Sequence, residues 1–138
     1  MTPAQSYLRK AEAALSAARL LVQAKDGDGA CNRAYYAMFD AAHAALFALR
    51  VEGMAAPIKT HNGLVAKFGQ EVILKGHLAS TFGEELNAVQ RLRQIADYSG
   101  DLVADDKATW AVERAEAFVA AVRGLIEGWE VSIATPAP

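Results

Sequence analysis

A chain of 138 residues, 53% of them apolar and only four of them proline, can build one domain with a real core but not two, and its wealth of alanine favours long helices over strands. Fourteen lysines and arginines against sixteen acidic residues leave a net charge of −2, which excludes a surface coated in positive charge for long nucleic acids while permitting local basic patches. The single cysteine, Cys31, excludes an internal disulfide and a cysteine-rich zinc site, and fits a reducing, cytoplasmic setting.

No early stretch pairs a basic start with a long apolar run, and no apolar segment approaches bilayer length, so a soluble protein with no membrane association is expected. A first helix is predicted from Thr2-Pro3, where threonine caps and proline suits the first turn, to about Lys25, with Tyr7, Leu8, Ala11, Ala14, Leu15, Ala18, Leu21 and Val22 on its inner face. Asp26-Gly27-Asp28-Gly29 reads as the break and the next cap. The second helix is predicted from about Gly29 to Val51, with Tyr35, Met38, Phe39, Ala42, Leu46 and Leu49 facing the core.

Gly53 and Pro57 end that element, and the 53–80 connector is expected to be irregular with one short helix around Asn62 to Leu74. It is the most basic segment, with Lys59, Lys67, Lys75, His61 and His77 against Glu71. The next helix, about Phe82 to Ser99, aligns Leu86, Val89, Leu92 and Ala96. A last helix starts near Asp105-Asp106, where acidic side chains suit the positive end of the helix dipole, with Trp110, Arg114, Ala117, Phe118, Ala121 and Leu125 turned inward. The expected architecture is all-α: an up-and-down bundle of four long helices plus the short connector helix, one domain over 1–130 and a flexible tail over 131–138.

Two polar stripes interrupt this pattern. Arg33, Tyr36, Asp40 and His43, spaced 3, 4 and 3 apart, share a line on the second helix roughly opposite its core face. In RLRQIADYSG, Arg93 and Asp97 form an i,i+4 pair beside Leu86 and Val89 and so point to the interior edge. Charges withdrawn from water persist mainly by pairing, which makes the second-helix stripe the simplest counterpart. Two readings fit that spacing equally: an inter-helix network that sets register, or a groove in which arginine binds phosphate, aspartate orients it and His or Tyr handles a proton. The three histidines lack compact ligand spacing, so neither metal nor cofactor is expected.

CNRAYYAMFDAAHAAL, then KTHNGLVAKF, then RQIADYSG resemble in order and separation the small stand-alone HEPN-domain proteins of the UPF0332-like branch, over roughly residues 5 to 127. The resemblance implies a HEPN bundle, a homodimer formed through the central helices, a place in a toxin–antitoxin or defence module, and a partner nucleotidyltransferase of the MNT type. It further implies metal-independent ribonuclease chemistry carried by an arginine, four to six further residues, and a histidine. Here four residues after Arg93 lead to Tyr98 where that histidine would stand, and a tyrosine with an ordinary pKa near 10 is a poor base at neutral pH.

The expectation is therefore a HEPN-domain protein that binds RNA or nucleotide through Arg33, Tyr36, Asp40, Lys59, His61, Arg93, Asp97 and Tyr98. A degenerate endoribonuclease with Arg93, Tyr98 and His43 as candidate catalytic residues is the enzymatic variant. Tyr36 or Tyr98 as an acceptor of AMP from the partner is another. A non-catalytic dimeric interaction module, with the polar residues as a structural network, is the alternative of a different class.

Overall fold

The computed structural model describes residues 1–134; the rest of the expected tail, Thr135 to Pro138, lies outside the described residues. The elements run α1 (Pro3–Gln23), α2 (Gly27–Ala48), α3 (His61–Phe68), a π-helical turn (Gly69–Ile73), α4 (Ser80–Tyr98) and α5 (Asp105–Ala134). The fold is an all-α up-and-down bundle of four long helices, with α3 and the π turn as the insertion between α2 and α4. Among the described residues, no helix is long and apolar enough to cross a membrane.

Local sequence explains where the helices start. Thr2 and Gln5 form a reciprocal capping box at 3.1 and 2.9 Å, with Pro3 in the first turn. Asp26 accepts from the Gly29 N–H at 2.9 Å, so α2 begins at Gly27, two residues before its expected start. The glycines there do more than break a helix. A Cβ on Gly27 would meet the Val103 carbonyl oxygen at 2.6 Å, and Asp28 Oδ1 accepts from the Val103 N–H at 2.9 Å. The GDG turn is thus where the loop between α4 and α5 docks.

α1 and α2 both close on a left-handed residue, Lys25 (φ 62°) and Arg50 (φ 56°). In each case the next N–H reaches back five residues, from Asp26 to Leu21 O at 2.9 Å and from Val51 to Leu46 O at 3.2 Å. α2 accordingly stops at Ala48, short of Val51. In the connector, Thr60 caps α3 through the Gly63 N–H, and the coil then widens into the π turn, which the 3.6-residue periodicity did not announce.

α2 is the central helix. Twelve of its residues are buried, from Ala30 and Cys31 to Ala45 and Leu46, because α1, α4 and α5 all pack on it. Small side chains let the neighbours approach closely, while Met38, Leu46, Leu64, Phe68, Leu86 and Phe118 fill the spaces between. The inward face of α5 differs from the one expected. Ala108, Ala111, Val112, Ala115, Phe118, Val119, Val122 and Ile126 are buried, whereas Trp110 is 40% exposed and Ala117 faces out. α5 is apolar on more than one side, and close packing on alanine-rich α2 selects its small side chains over its largest one. α5 also continues through residues 131–134, into the expected tail.

Candidate functional site

The first third of α2 and the second half of α4 bring most of the predicted residues together. Arg93 Nε donates to Gln90 Oε1 at 2.8 Å and Nη1 to Asp97 Oδ2 at 2.9 Å, and only 12% of the Arg93 side chain remains exposed. Asn32 Nδ2 donates to both Asp97 oxygens at 3.2 and 3.4 Å, while its own Oδ1 accepts from Arg33 Nε and Nη2 at 3.1 and 3.0 Å. The two stripes do meet, and Asn32 is the joint between them. Nothing in the helical spacing singled it out, although it directly precedes Arg33.

Three tyrosine rings surround the Arg93 guanidinium, with centres 5.0 Å (Tyr35), 5.8 Å (Tyr36) and 5.8 Å (Tyr98) from its carbon. Arg33 also lies over the Tyr36 ring, 5.4 Å from its centre. Burial works against the Arg93 charge, but the Tyr98 hydroxyl, Tyr36, Asp97 and Tyr35 more than offset it and hold the guanidinium above its ordinary range. Tyr98 is 78% exposed at the rim.

Tyr35, which its periodicity marks as plain core, carries the cluster to α3. Its hydroxyl donates to His61 Nδ1 at 2.9 Å, and His61 Nε2 donates to Asn87 Oδ1 at 3.1 Å, so the two ring nitrogens link Tyr35 to Asn87. Burial pushes the Tyr35 phenol up to about 12, with Arg93 opposing and Tyr36 adding to the shift. His61 therefore sits behind Tyr35 as part of this network. Lys59 is exposed, two residues before it.

Asp40 and His43 leave the cluster. Asp40 lines a separate open cleft between α1 and α2, of about 500 Å³, with Lys10, Arg33, Tyr36 and Phe39. Lys10 was invisible to any reading of α2 alone. Burial raises the Asp40 carboxyl above its ordinary value, and Lys10, His43 and Arg33 oppose that rise. His43 is fully buried and stacked on Tyr7 at 5.1 Å. Its Nδ1 donates to the Phe39 carbonyl at 2.9 Å and its Nε2 accepts from the Ile58 N–H at 3.0 Å. The residue tethers the connector to α2, so its place in the predicted stripe is corrected: both ring nitrogens are committed to backbone and none is presented to a ligand.

Comparison with known proteins gives the family. The model of the HEPN domain matches residues 4–125, from the first turn of α1 into α5. The chain belongs to the HEPN domain family. Its relatives include a UPF0332 protein of Gloeobacter violaceus, 39% identical over 101 residues that make up 72% of this chain and 76% of the relative. A UPF0332 protein of Thermotoga maritima is 32% identical over 124 residues, 88% and 89% of the two chains. A Methanocaldococcus jannaschii protein that carries the name "Putative toxin MJ0605" is 32% identical over 115 residues, 83% and 82% of the two chains.

In this HEPN domain the helix that carries Arg93 ends at Tyr98, in the position where the resemblance led one to expect a histidine. His43 does not stand in for it, being spent on Phe39 and Ile58. What the HEPN bundle offers at this point is a cation fixed by Gln90 and Asp97, flanked by aromatic faces. Such a surface suits phosphate by charge and nucleobases by stacking.

Proposed function

We propose that this HEPN domain binds RNA or nucleotide at the Arg93 cluster, as a homodimer in a toxin–antitoxin-like or defence module with a nucleotidyltransferase partner. The observation that carries the reading is the ring of Tyr35, Tyr36 and Tyr98 around a guanidinium that Gln90 and Asp97 lock in place. Arg93 supplies the phosphate contact, Arg33 adds a second cation, and Tyr98 offers an exposed face for a base. The name of the Methanocaldococcus relative supports the toxin side of the reading. Binding, not cleavage by an arginine–histidine pair, is the activity proposed, since a tyrosine follows Arg93 at the motif spacing.

The test is a gel-shift titration of a fluorescent single-stranded RNA with the wild type, Arg33→Ala and Tyr98→Ala. Both altered side chains are exposed, so folding is preserved while binding weakens, by about fivefold to 150-fold for loss of one stacked base at Tyr98. Unchanged binding in both variants refutes the reading. A second reading, a non-catalytic interaction module, draws on the Asn32–Asp97 bond that ties α2 to α4. It predicts that Asn32→Ala lowers the melting temperature and that no RNA binds to any variant.

A further inference from the structure

The α1–α2 cleft is not explained by the Arg93 cluster. It holds about 500 Å³, with Tyr36 and Phe39 on one wall, Ala13 and its neighbours on the other, and Lys10, Arg33 and Asp40 as its charged groups. Among the described residues, Asp40 is only partly exposed and has no hydrogen-bond or ion-pair partner, and neither Lys10 nor Arg33 closes onto it. Arg33 is instead held through two nitrogens by Asn32. The carboxylate oxygens of Asp40 are not sealed from solvent and line the open cleft, where the donors of a guest can reach them.

The surrounding charges narrow the guest. Lys10 and Arg33 make the cleft positive around Asp40, which disfavours a cationic side chain and favours a neutral donor edge attached to an anion. A carboxylate only accepts hydrogen bonds, through two oxygens side by side. Guanine is the one common base with two adjacent donors, N1–H and the 2-amino group, on its pairing edge. Adenine and cytosine place a ring acceptor beside their amine, and uracil flanks its one N–H with carbonyls, so each would set an oxygen of Asp40 against a lone pair.

We propose that this cleft takes a guanine base, paired through its N1–H and 2-amino group with Asp40 and packed on Tyr36 and Phe39, with its phosphate at Lys10 and Arg33. The assignment rests on the nucleotide-binding reading above and extends it, because Tyr36 and Arg33 belong to both surfaces. The base can belong to a free guanine nucleotide or to a guanosine within RNA.

Calorimetric titration with GMP, IMP and AMP, and with two single-stranded hexamers that differ only by one guanosine, separates these sources. GMP should bind at least about tenfold tighter than IMP, which lacks the 2-amino group, and than AMP, as expected for one bidentate pair. Preference confined to the hexamers assigns the cleft to guanosine in RNA, and preference in both series to the base itself. Asp40→Asn, whose melting curve serves as the folding control, should abolish the preference. Equal affinities across both series in the wild type, or a preference that survives in Asp40→Asn, overturn the guanine assignment. RNA binding that depends on Tyr98 but ignores guanosine leaves the Arg93 reading standing, whereas GMP selectivity without Tyr98-dependent RNA binding does the reverse.

Discussion

The guanidinium of Arg93 lies 5.0 Å above the ring of Tyr35, whose hydroxyl bonds His61 at 2.9 Å, so that α4, α2 and α3 meet at a single buried phenol. Burial raises the Tyr35 pKa from 10.0 to about 12, which means that the folded chain holds this proton more tightly than the unfolded one. The stabilisation is complete below pH 10 and is lost as pH rises through about 12. Tyr35→Phe keeps the ring under Arg93 and removes the hydroxyl bond, costing about 1 kcal/mol at neutral pH. Urea unfolding at a series of pH values should show that the variant lacks this residue's part of the alkaline decline.

Arg93 and Asp97 form a pair whose side chains are only 12% and 26% exposed, and Asp97 is bound a second time by Asn32. Arg93→Ala strands Asp97 and Gln90, and should cost about 1 to 3 kcal/mol, read as a fall of several degrees in melting temperature. Asp97→Ala should cost a similar amount. Because the two residues share one network, the double variant should lose clearly less than the sum of the singles. Additive losses would show that the pair does not act as a unit.

His43 is set apart from the site by its bonds to Phe39 and Ile58 and by its stacking on Tyr7. His43→Ala opens a cavity and frees the Ile58 N–H, so a loss of about 2 to 4 kcal/mol is expected in chemical denaturation. RNA affinity of the fraction that remains folded should match the wild type. A selective loss of RNA binding with stability intact would return His43 to the site.

Lys25 and Arg50 occupy left-handed conformations at the ends of α1 and α2, where glycine is the usual residue. Replacing each by glycine removes a Cβ from a conformation that costs an L-residue about 1 kcal/mol or more, a gain partly offset by the freer unfolded chain. Lys25→Gly and Arg50→Gly should each raise stability by about 0.5 kcal/mol, and the two effects should add, as thermal melts can show.

The elements were legible because their signals are local. Thr2 and Asp26 announce starts through the first-turn N–H groups, and the Arg93–Asp97 pair forms as i,i+4 spacing requires. The site was legible only in part. Arg33, Tyr36, Arg93 and Asp97 were named from their stripes and Tyr98 from the resemblance, yet Asn32, Gln90, Asn87 and Lys10 were not, since amides and a lone lysine on a wet helix face carry no periodic mark. Tyr35 was assigned to the core, and it is core; that its hydroxyl also bonds His61 depends on a residue 26 positions away.

The sequence by itself determined the all-α class, the order of the helices and the two lines of polar side chains, because capping and 3.6-residue periodicity act within one helix. Only the tertiary structure decided how α2 is turned between α1, α4 and α5. That rotation gathers Arg33 and Tyr36 with Arg93, sends Asp40 into the α1–α2 cleft and buries His43 against Ile58. An alanine-rich helix that is apolar on nearly every side has no single inward face, so close packing with its neighbours sets the angle at which its few polar residues emerge.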